Sequence, residues 1–325
     1  MTRPWRTALA LSVTALLSLT ACGGGGEEAA PQNAAGGAGY PRTIDHVMGS
    51  ATLETQPKTV AALDSSYVDA ALALETNVVA YTKYRNYDSL PDYLGESRKY
   101  GEGAQQIGPL ENPDVEKLYD IKPDLIVSAK VRHEKFYEQF TKVAPTVFSQ
   151  TTGGTWKDNL RLLARALGKE SLAEQKIGDY EKRAKRIGDE IKAKLGKDPK
   201  VSVVRFVEGE PTVRLYSSAS YPGIVMADAG IDRPDGQPDN KEKISVDLSQ
   251  EDITKLDGDM LFVAAYQDET KQAEDPKAKF QSNPLWGTLK GKIVDVNDTT
   301  WFTAVSLQGA NAMLTDLATQ FGVTP

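Results

Sequence analysis

The sequence contains few of the residues that bind metal ions directly. Of its 325 residues, one is cysteine and two are histidine, His46 and His133. A zinc or manganese site built mainly from imidazole needs more histidines than this chain supplies, so we predict that side chains bind no metal directly. We interpret His133 as a surface histidine or one whose hydrogen bonds are satisfied. A catalytic dyad of His133 with a distant carboxylate is the alternative.

Motifs of the large enzyme classes are also missing. The sequence has no glycine-rich phosphate loop, no Ser-x-x-Lys, no nucleophile elbow and no metalloprotease helix. Its net charge is -7 and it has no run rich in lysine and arginine, so nothing favours binding to a nucleic acid. We therefore expect a protein that is not an enzyme, needs no cofactor and has no nucleic-acid partner.

The N-terminal residues have the pattern of a secretory signal. Arg3 and Arg6 precede an apolar stretch over residues 8–19, and Leu19-Thr20-Ala21-Cys22 follows. A membrane-spanning helix needs about 20 predominantly apolar residues, whereas this stretch is shorter and is interrupted by hydroxyl side chains. We predict a signal peptide over residues 1–21, with a plain anchor helix as the alternative.

The residues after the signal predict a tether and then a large core. Residues 22–40 consist mainly of glycine, alanine, glutamate, proline and glutamine, which is the composition of a flexible segment. Cys22 is the only cysteine, so the exported protein has no internal disulfide. A large hydrophobic core must therefore stabilise the remaining chain.

Periodicity along that chain predicts an α/β fold. Short β-branched runs alternate with amphipathic segments, as in strands crossed over by helices. Over residues 156–168 and 171–195, apolar residues instead recur at helical spacing with no strand between them. We predict an N-terminal α/β lobe over 41–155, a helical linker with one long helix over 156–196, and a C-terminal α/β lobe over 197–325. Each lobe is expected to contain a central sheet of parallel type.

One spacing occurs in both halves of the sequence. Glu116 precedes Asp124 and an apolar run, and Glu251 precedes Asp259 and an apolar run at the same interval. We interpret the pattern as one helix-turn-strand unit that occurs once in each lobe.

Aromatic and basic residues at predicted strand ends are the candidate ligand contacts. Open α/β sheets bind ligands beyond the carboxyl ends of their strands. Aromatic rings offer large contact areas, and guanidinium groups donate hydrogen bonds to chelating oxygens. The candidates are Tyr84, Arg85, Lys130, Arg132, Arg205, Tyr216, Tyr221, Trp301 and Phe302. A solvated loop charge is the alternative for the cations of the first half.

For three of these candidates the sequence gives a separate reason for or against a role in binding. Arg205 lies inside an apolar strand, where an unpaired charge costs several kcal/mol, so it requires a partner or a ligand. Trp301 follows a polar loop, and an indole in a loop indicates binding more often than core packing. Tyr216 could also be a packed side chain.

Several stretches together resemble one family. They are Thr59-Val-Ala-Ala-Leu63, Asn112-Pro-Asp-Val-Glu116 with Lys122-Pro-Asp-Leu-Ile126, and Ser282-Asn-Pro-Leu-Trp286 with Lys292-Ile-Val-Asp-Val296. They resemble the siderophore-binding proteins of ABC importers, the rigid two-lobe class that also contains ferrichrome and vitamin B12 binders. Within that class the chain is most similar to the desferrioxamine-binding lipoproteins of actinobacteria. The resemblance covers nearly the whole mature chain.

The resemblance implies a fold, a location and partners. It implies the class III periplasmic-binding-protein fold, in which the long helix limits lobe motion, and a monomer that binds iron only through the siderophore. Leu19-Thr20-Ala21-Cys22 resembles a lipobox, which implies a lipid on Cys22 and attachment to the extracytoplasmic side of the cell membrane. Glu116 and Glu251 match the family's two carboxylates that contact the permease. Ordinary helix-start glutamates, favoured by the helix dipole, are the alternative.

In one place the sequence departs from the family pattern. Ferrichrome binders carry an arginine shortly before the Asn-Pro-Asp-Val-Glu stretch, but this chain has Gly108-Pro109-Leu110 there. Arg85 or Arg132 could replace that arginine.

The character of the candidate contacts predicts the kind of ligand. A ferric catecholate is strongly anionic and needs a cluster of basic residues, whereas a ferric hydroxamate is neutral or mildly cationic. Aromatic faces with a few hydrogen-bond donors suit the hydroxamate, so we predict a ferrioxamine-type siderophore. Haem, a cobalamin, or a metal-handling enzyme on the same bilobal plan are the alternatives.

Overall fold

The computed structural model of this chain describes residues 39–83, 89–267, 275 and 277–325. A hairpin and the first sheet use β1 Arg42–His46, β2 Gly49–Leu53, β3 Thr59–Ala62, β4 Asn77–Tyr81, β5 Gln105–Gln106, β6 Leu125–Ala129 and β7 Thr146–Ser149. The helices between them are α1 Ser65–Ala73, α2 Val115–Ile121, α3 Lys130–His133 and α4 Tyr137–Phe140.

Two helices, α5 Trp156–Leu167 and α6 Glu170–Leu195, come next in the chain. The second sheet uses β8 Val201–Val207, β9 Val213–Tyr216, β10 Ser245–Leu248, β11 Met260–Tyr266 and β12 Lys292–Asp295. Its helices are α7 Tyr221–Asp228, α8 Ala278–Gln281 and α9 Leu307–Phe321. Short helical turns over Gln250–Leu256 and Thr299–Thr303 connect further elements.

The two sheets have the same strand order. In the first the order is β5-β4-β3-β6-β7, and in the second it is β10-β9-β8-β11-β12. Each sheet therefore has its first strand in the middle, and the direction of chain progression reverses between β3 and β6 and between β8 and β11. Ligands of open α/β sheets bind beyond the carboxyl ends of the strands at such reversals.

The sheets differ in strand direction. All pairs in the first sheet are parallel, but β9 is antiparallel to both β8 and β10. The reason is the connection: β8 and β9 are joined by the short segment 208–212, which is long enough for a hairpin but too short for a helical crossover. The second sheet is therefore mixed: β8, β11 and β12 are parallel, as expected for a sheet of parallel type, and β9 is antiparallel to its two neighbours.

The repeated sequence pattern has the same structural role in both sheets. Asp124, just before β6, accepts hydrogen bonds of 2.9 Å from the backbone N–H groups of Lys58 and Thr59 at the start of β3. Asp259, just before β11, accepts one of 2.8 Å from the backbone N–H of Lys200 at the start of β8. Each aspartate thus connects the amino ends of the two central strands of its sheet by hydrogen bonds. The prediction of one helix-turn-strand unit in each half is confirmed, although the second unit begins with a 3₁₀ turn.

The long predicted helix is α6, with 26 residues, which corresponds to about 39 Å. Its buried side chains recur every three or four residues, from Ala173 to Ile191, and it packs against α5, α7 and α9. Gly188 allows the closest of these approaches, because a Cβ atom there would lie 1.7 Å from the carbonyl oxygen of Ala229. The lobe boundaries 41–155, 156–196 and 197–325 stay predictions.

A buried carboxylate of the first half caps the C-terminal helix. Asp69, on α1, accepts hydrogen bonds of 3.0 Å from the backbone N–H groups of Gln308 and Gly309 in the first turn of α9. The N-cap residue of α9, Ser306, makes no capping bond with its own side chain. These two backbone N–H groups have no acceptor within α9, and a side chain from the first half of the chain accepts their hydrogen bonds. Of the helices in the described ranges, none has the length and apolar character required to cross a bilayer.

Asp69 should make stability depend on pH. Burial raises the pKa of Asp69 to about 7, although hydrogen bonds from Gln308 and Gly309 act in the opposite direction. This pKa exceeds the pKa of Asp69 in the unfolded chain. The contribution of Asp69 to the free energy of unfolding is therefore fully present below about pH 4 and is lost as the pH rises through 7.

Relative to Asp69→Asn, the wild type should therefore lose up to about 4 kcal/mol of unfolding free energy between about pH 4 and pH 8. Urea unfolding across that range measures the difference. The exposed Asp120→Asn serves as control and should keep the wild-type pH profile. Parallel profiles for wild type and Asp69→Asn would contradict this account.

Candidate functional site

The topological reversal of the second sheet carries a buried arginine. Arg205, on β8, has a side chain only 5% exposed, and it donates from Nε and Nη2 to the two carboxylate oxygens of Asp298 at 2.5 and 2.6 Å. Burial acts to lower the pKa of Arg205, but the bonds to Asp298 and the nearby Tyr216 outweigh it and raise the pKa. The partner that the sequence requires for Arg205 is Asp298.

Aromatic rings surround this ion pair. The guanidinium carbon of Arg205 lies 5.4 Å from the ring centroids of both Tyr266 and Phe302. The ring of Tyr216 lies 4.5 Å from that of Phe302, and Tyr216 is near enough to Arg205 to help raise the pKa of the guanidinium. Three of the predicted contacts, Arg205, Tyr216 and Phe302, are therefore brought together.

A second arginine beside Arg205 was not among the predicted contacts. Arg214, on β9, lies directly opposite Arg205 in the antiparallel register, so both side chains project from the same face of the sheet. Arg214 forms a bidentate ion pair with Glu210, in which the Nε to Oε2 distance is 2.9 Å. The signal for Arg214 in the sequence is its place between Val213 and Leu215, which are both buried.

The reversal of the first sheet carries a third ion pair. Asp64 follows β3 and accepts a hydrogen bond from the backbone N–H of Ser66, which caps α1. Its other oxygen accepts a hydrogen bond of 2.9 Å from Nε of Arg132, which follows β6. Arg132 is 41% exposed at the side chain, and Lys130 nearby pairs with Glu134 at 3.3 Å.

One contact joins the two reversals directly. Ser65 Oγ, beside Asp64, donates a hydrogen bond of 2.8 Å to the carbonyl oxygen of Thr303, beside Phe302. The ends of both sheets thus meet at this point. We use the term switch-point cluster for the group Asp64, Arg132, Arg205, Arg214 and Phe302.

Two predicted contacts lie in the core instead. Trp301 has no exposed surface; its ring lies 4.5 Å from that of Phe262, and its Nε1 donates to Asp316 at 2.8 Å. Tyr221 is 3% exposed and donates its hydroxyl hydrogen to the carbonyl oxygen of Ser306 at 2.6 Å. Both side chains are packed and hydrogen-bonded within the protein, and their role as ligand contacts stays a prediction.

His133 is buried, with Nδ1 2.7 Å from Ser128 Oγ and Nε2 2.5 Å from the carbonyl oxygen of Leu110. Burial lowers the pKa of His133, which favours the neutral ring. The interpretation as a satisfied histidine is confirmed. In the part of the chain that the structure describes, no three His, Cys, Asp or Glu side chains form a group suited to a metal ion. Tyr84, Arg85 and Cys22 lie outside that part.

Glu116 and Glu251 occupy corresponding places in the two halves. Glu116 lies in the first turn of α2, and Glu251 lies in the first turn of the 3₁₀ segment Gln250–Leu256. Both segments begin beyond the carboxyl ends of strands, on the same side as the switch-point cluster. Both glutamates are exposed, and neither carboxylate forms an ion pair within the described ranges.

Comparison with known proteins identifies the family. A family model of periplasmic binding proteins matches residues 60–291. This chain belongs to the periplasmic binding protein family. It is therefore a binding protein and not an enzyme, as predicted.

Individual relatives of this family are similar over most of their length. A probable siderophore-binding lipoprotein of Bacillus subtilis, YfiY, is 37% identical over 86% of this chain and 87% of its own. The Fe(3+)-citrate-binding protein YfmC of the same organism is 28% identical over 80% and 79%. The crystal structure of Staphylococcus aureus SirA complexed with staphyloferrin B has a TM-score of 0.76 at 28% identity, over 87% of this chain and 99% of SirA. The expected fold class, two α/β lobes joined by a long helix, is confirmed.

Removing the partner of Arg205 should destabilise this periplasmic binding protein. Asp298→Ala leaves a buried guanidinium unpaired, which costs roughly 3–5 kcal/mol of unfolding free energy. Asp295→Ala, three residues earlier, breaks a pair with Lys277 in which the carboxylate is 70% exposed, and should cost no more than about 1 kcal/mol. Urea unfolding of the two variants measures both values. Equal losses would contradict the assignment of Arg205 to a buried pair.

Proposed function

We propose that this periplasmic binding protein captures a ferric siderophore at the switch-point cluster and delivers it to the permease of an ABC importer. Two kinds of observation support this proposal. YfiY and SirA, which are similar over most of this chain, are named for siderophore binding or carry a siderophore. In addition, guanidinium donors from both halves and aromatic rings from the second half lie at the two reversals, where open α/β sheets bind ligands.

We further propose that the ligand is a ferric hydroxamate of the ferrioxamine type. The observation that carries this choice is the pairing of the cluster's arginines. Arg132 is paired with Asp64, Arg205 with Asp298, and Arg214 with Glu210. These three pairs add no net charge, so they offer hydrogen-bond donors without attracting a strongly anionic chelate. A neutral or mildly cationic ferric hydroxamate suits such a surface.

A ferric carboxylate chelate is the second candidate. YfmC, which is 28% identical to this chain, is named for Fe(3+)-citrate binding. In this chain an anionic ligand would have to displace a carboxylate from at least one of the three arginines, which lowers its net gain.

Ligand titrations distinguish these candidates. Ferrioxamine B, ferric citrate and ferric enterobactin would each be added to the purified mature protein, with quenching of tryptophan fluorescence as the readout. We expect ferrioxamine B to bind at least about tenfold more tightly than either anionic chelate, a difference of about 1.4 kcal/mol. Tighter binding of ferric enterobactin or ferric citrate would overturn the hydroxamate choice, and binding of none of the three would overturn the siderophore proposal.

We also propose that the mature protein is held at the extracytoplasmic side of the cell membrane by a lipid on Cys22. The lipobox-like residues 19–22 support this, and YfiY is named a lipoprotein. On this account the protein works as a monomer on a tether over residues 22–40, so that it can reach both free ligand and permease.

Glu116 and Glu251 are proposed to seat the protein on the permease. Both carboxylates are exposed on the side of the molecule where the strands end, one in each half. Two matched charges could pair with basic groups on the two halves of a membrane transporter, and such pairs set orientation and association rate. The α2 residue Asp120 is exposed as well and provides a matched control on the same helix.

Substitution of the two glutamates should separate uptake from binding. In a strain that depends on this protein, Glu116→Ala with Glu251→Ala should reduce uptake of radioactive ferric siderophore roughly tenfold, because each exposed pair contributes up to about 1 kcal/mol. Fluorescence titration of the same variant should give an unchanged Kd for the ligand. Asp120→Ala should transport normally. Normal uptake by the double variant would contradict the docking role.

A further inference from the structure

We infer that Glu210 sets the preference of this protein for ferric chelates without net negative charge, because it neutralises Arg214 at the ligand-facing end of the second sheet. The inference deepens the proposed function and rests on it. Neither Glu210 nor Arg214 is among the contacts predicted from the sequence.

The first step is the position of Arg214 beside Arg205. Their places opposite each other in the register put two guanidinium groups next to each other on one face. Like charges in directly opposed positions destabilise a sheet, so each arginine needs its own carboxylate. The hydrogen bonds that Arg214 donates to Glu210 dominate and raise the pKa of Arg214, although the charge of Arg205 acts to lower it.

The second step is the difference between the two ion pairs. Side-chain exposure is 5% for Arg205 and 14% for Asp298, whereas it is 29% for both Arg214 and Glu210. The inner pair is therefore a fixed part of the core. The outer pair is accessible, and its arginine can exchange the carboxylate of Glu210 for an oxygen atom of a ligand.

The third step is the way in which Glu210 is held. It lies in the segment 208–212 that joins β8 to β9, and its backbone N–H donates a hydrogen bond of 3.0 Å to the carbonyl oxygen of Val207. Gly209 beside it has a φ angle of +81°, which suits glycine in a tight turn. The hairpin thus places this carboxylate four residues before Arg214, where it pairs with the guanidinium and is 29% exposed.

If Glu210 is made neutral, Arg214 keeps its charge and the ligand-facing surface gains one positive charge. Glu210→Gln should therefore bind anionic ferric citrate and ferric enterobactin roughly tenfold more tightly than the wild type does. The Kd for ferrioxamine B should not decrease, because a chelate without negative charge gains no Coulomb attraction. The gain should shrink as salt is raised, because exposed charges are screened.

Three controls make the outcome specific. Glu242→Gln makes the same change in net charge at an exposed position outside the switch-point cluster and should leave all three Kd values unchanged. Glu210→Gln with Arg214→Gln should remove the gain, because the unpaired guanidinium is then absent. Thermal unfolding of each variant verifies that it is folded.

The results separate this inference from the proposed function. If the wild type binds none of the chelates, the proposed function fails. If the wild type binds ferrioxamine B but Glu210→Gln leaves the ratio of the Kd values for the anionic chelates to the Kd for ferrioxamine B unchanged, or Glu242→Gln shifts it equally, the role of Glu210 is overturned. A salt-sensitive gain seen only while Arg214 is present supports it.

Discussion

The contact on which this architecture depends is the buried carboxylate of Asp69 at the amino end of α9. A helix end buried without partners for its N–H groups is costly, so α9 can pack here only if the first half of the chain provides an acceptor. The same short helix, α1, carries Asp64 at its start and Ser65 next to it. Since α1 holds both the interlobe cap and part of the switch-point cluster, the capping contact also fixes where the first-lobe arginine stands relative to the second lobe.

The two halves share a construction but differ where the ligand is expected. Strand order is the same in both sheets, and an aspartate fastens the amino ends of the central strands in each. At the carboxyl ends the halves diverge. The first lobe presents one arginine paired with a helix cap, while the hairpin between β8 and β9 gives the second lobe two adjacent arginines. The features that both halves share support the fold. The features in which they differ determine the surface that is offered to a ligand.

Pairing of charges links stability to recognition in this protein. An arginine buried in a sheet requires a carboxylate, and Asp298 meets that requirement for Arg205. The same pairing leaves the guanidinium groups available mainly as oriented donors beside aromatic rings, with little net charge. A binding surface made in this way favours shape and hydrogen bonding over long-range attraction, which agrees with a bulky, weakly charged chelate as the proposed ligand.

The sequence alone determined the alternation of strands and helices, the long helix and the repeated Glu and Asp spacing, because periodicity and turn chemistry act over a few residues. It also showed that Arg205 needs a partner. Only the tertiary structure decided that this partner is Asp298, 93 residues away, that Trp301 turns inward toward Asp316, and that Arg214 lies against Arg205. These outcomes depend on strand register and on contacts between distant segments, about which local patterns carry no information.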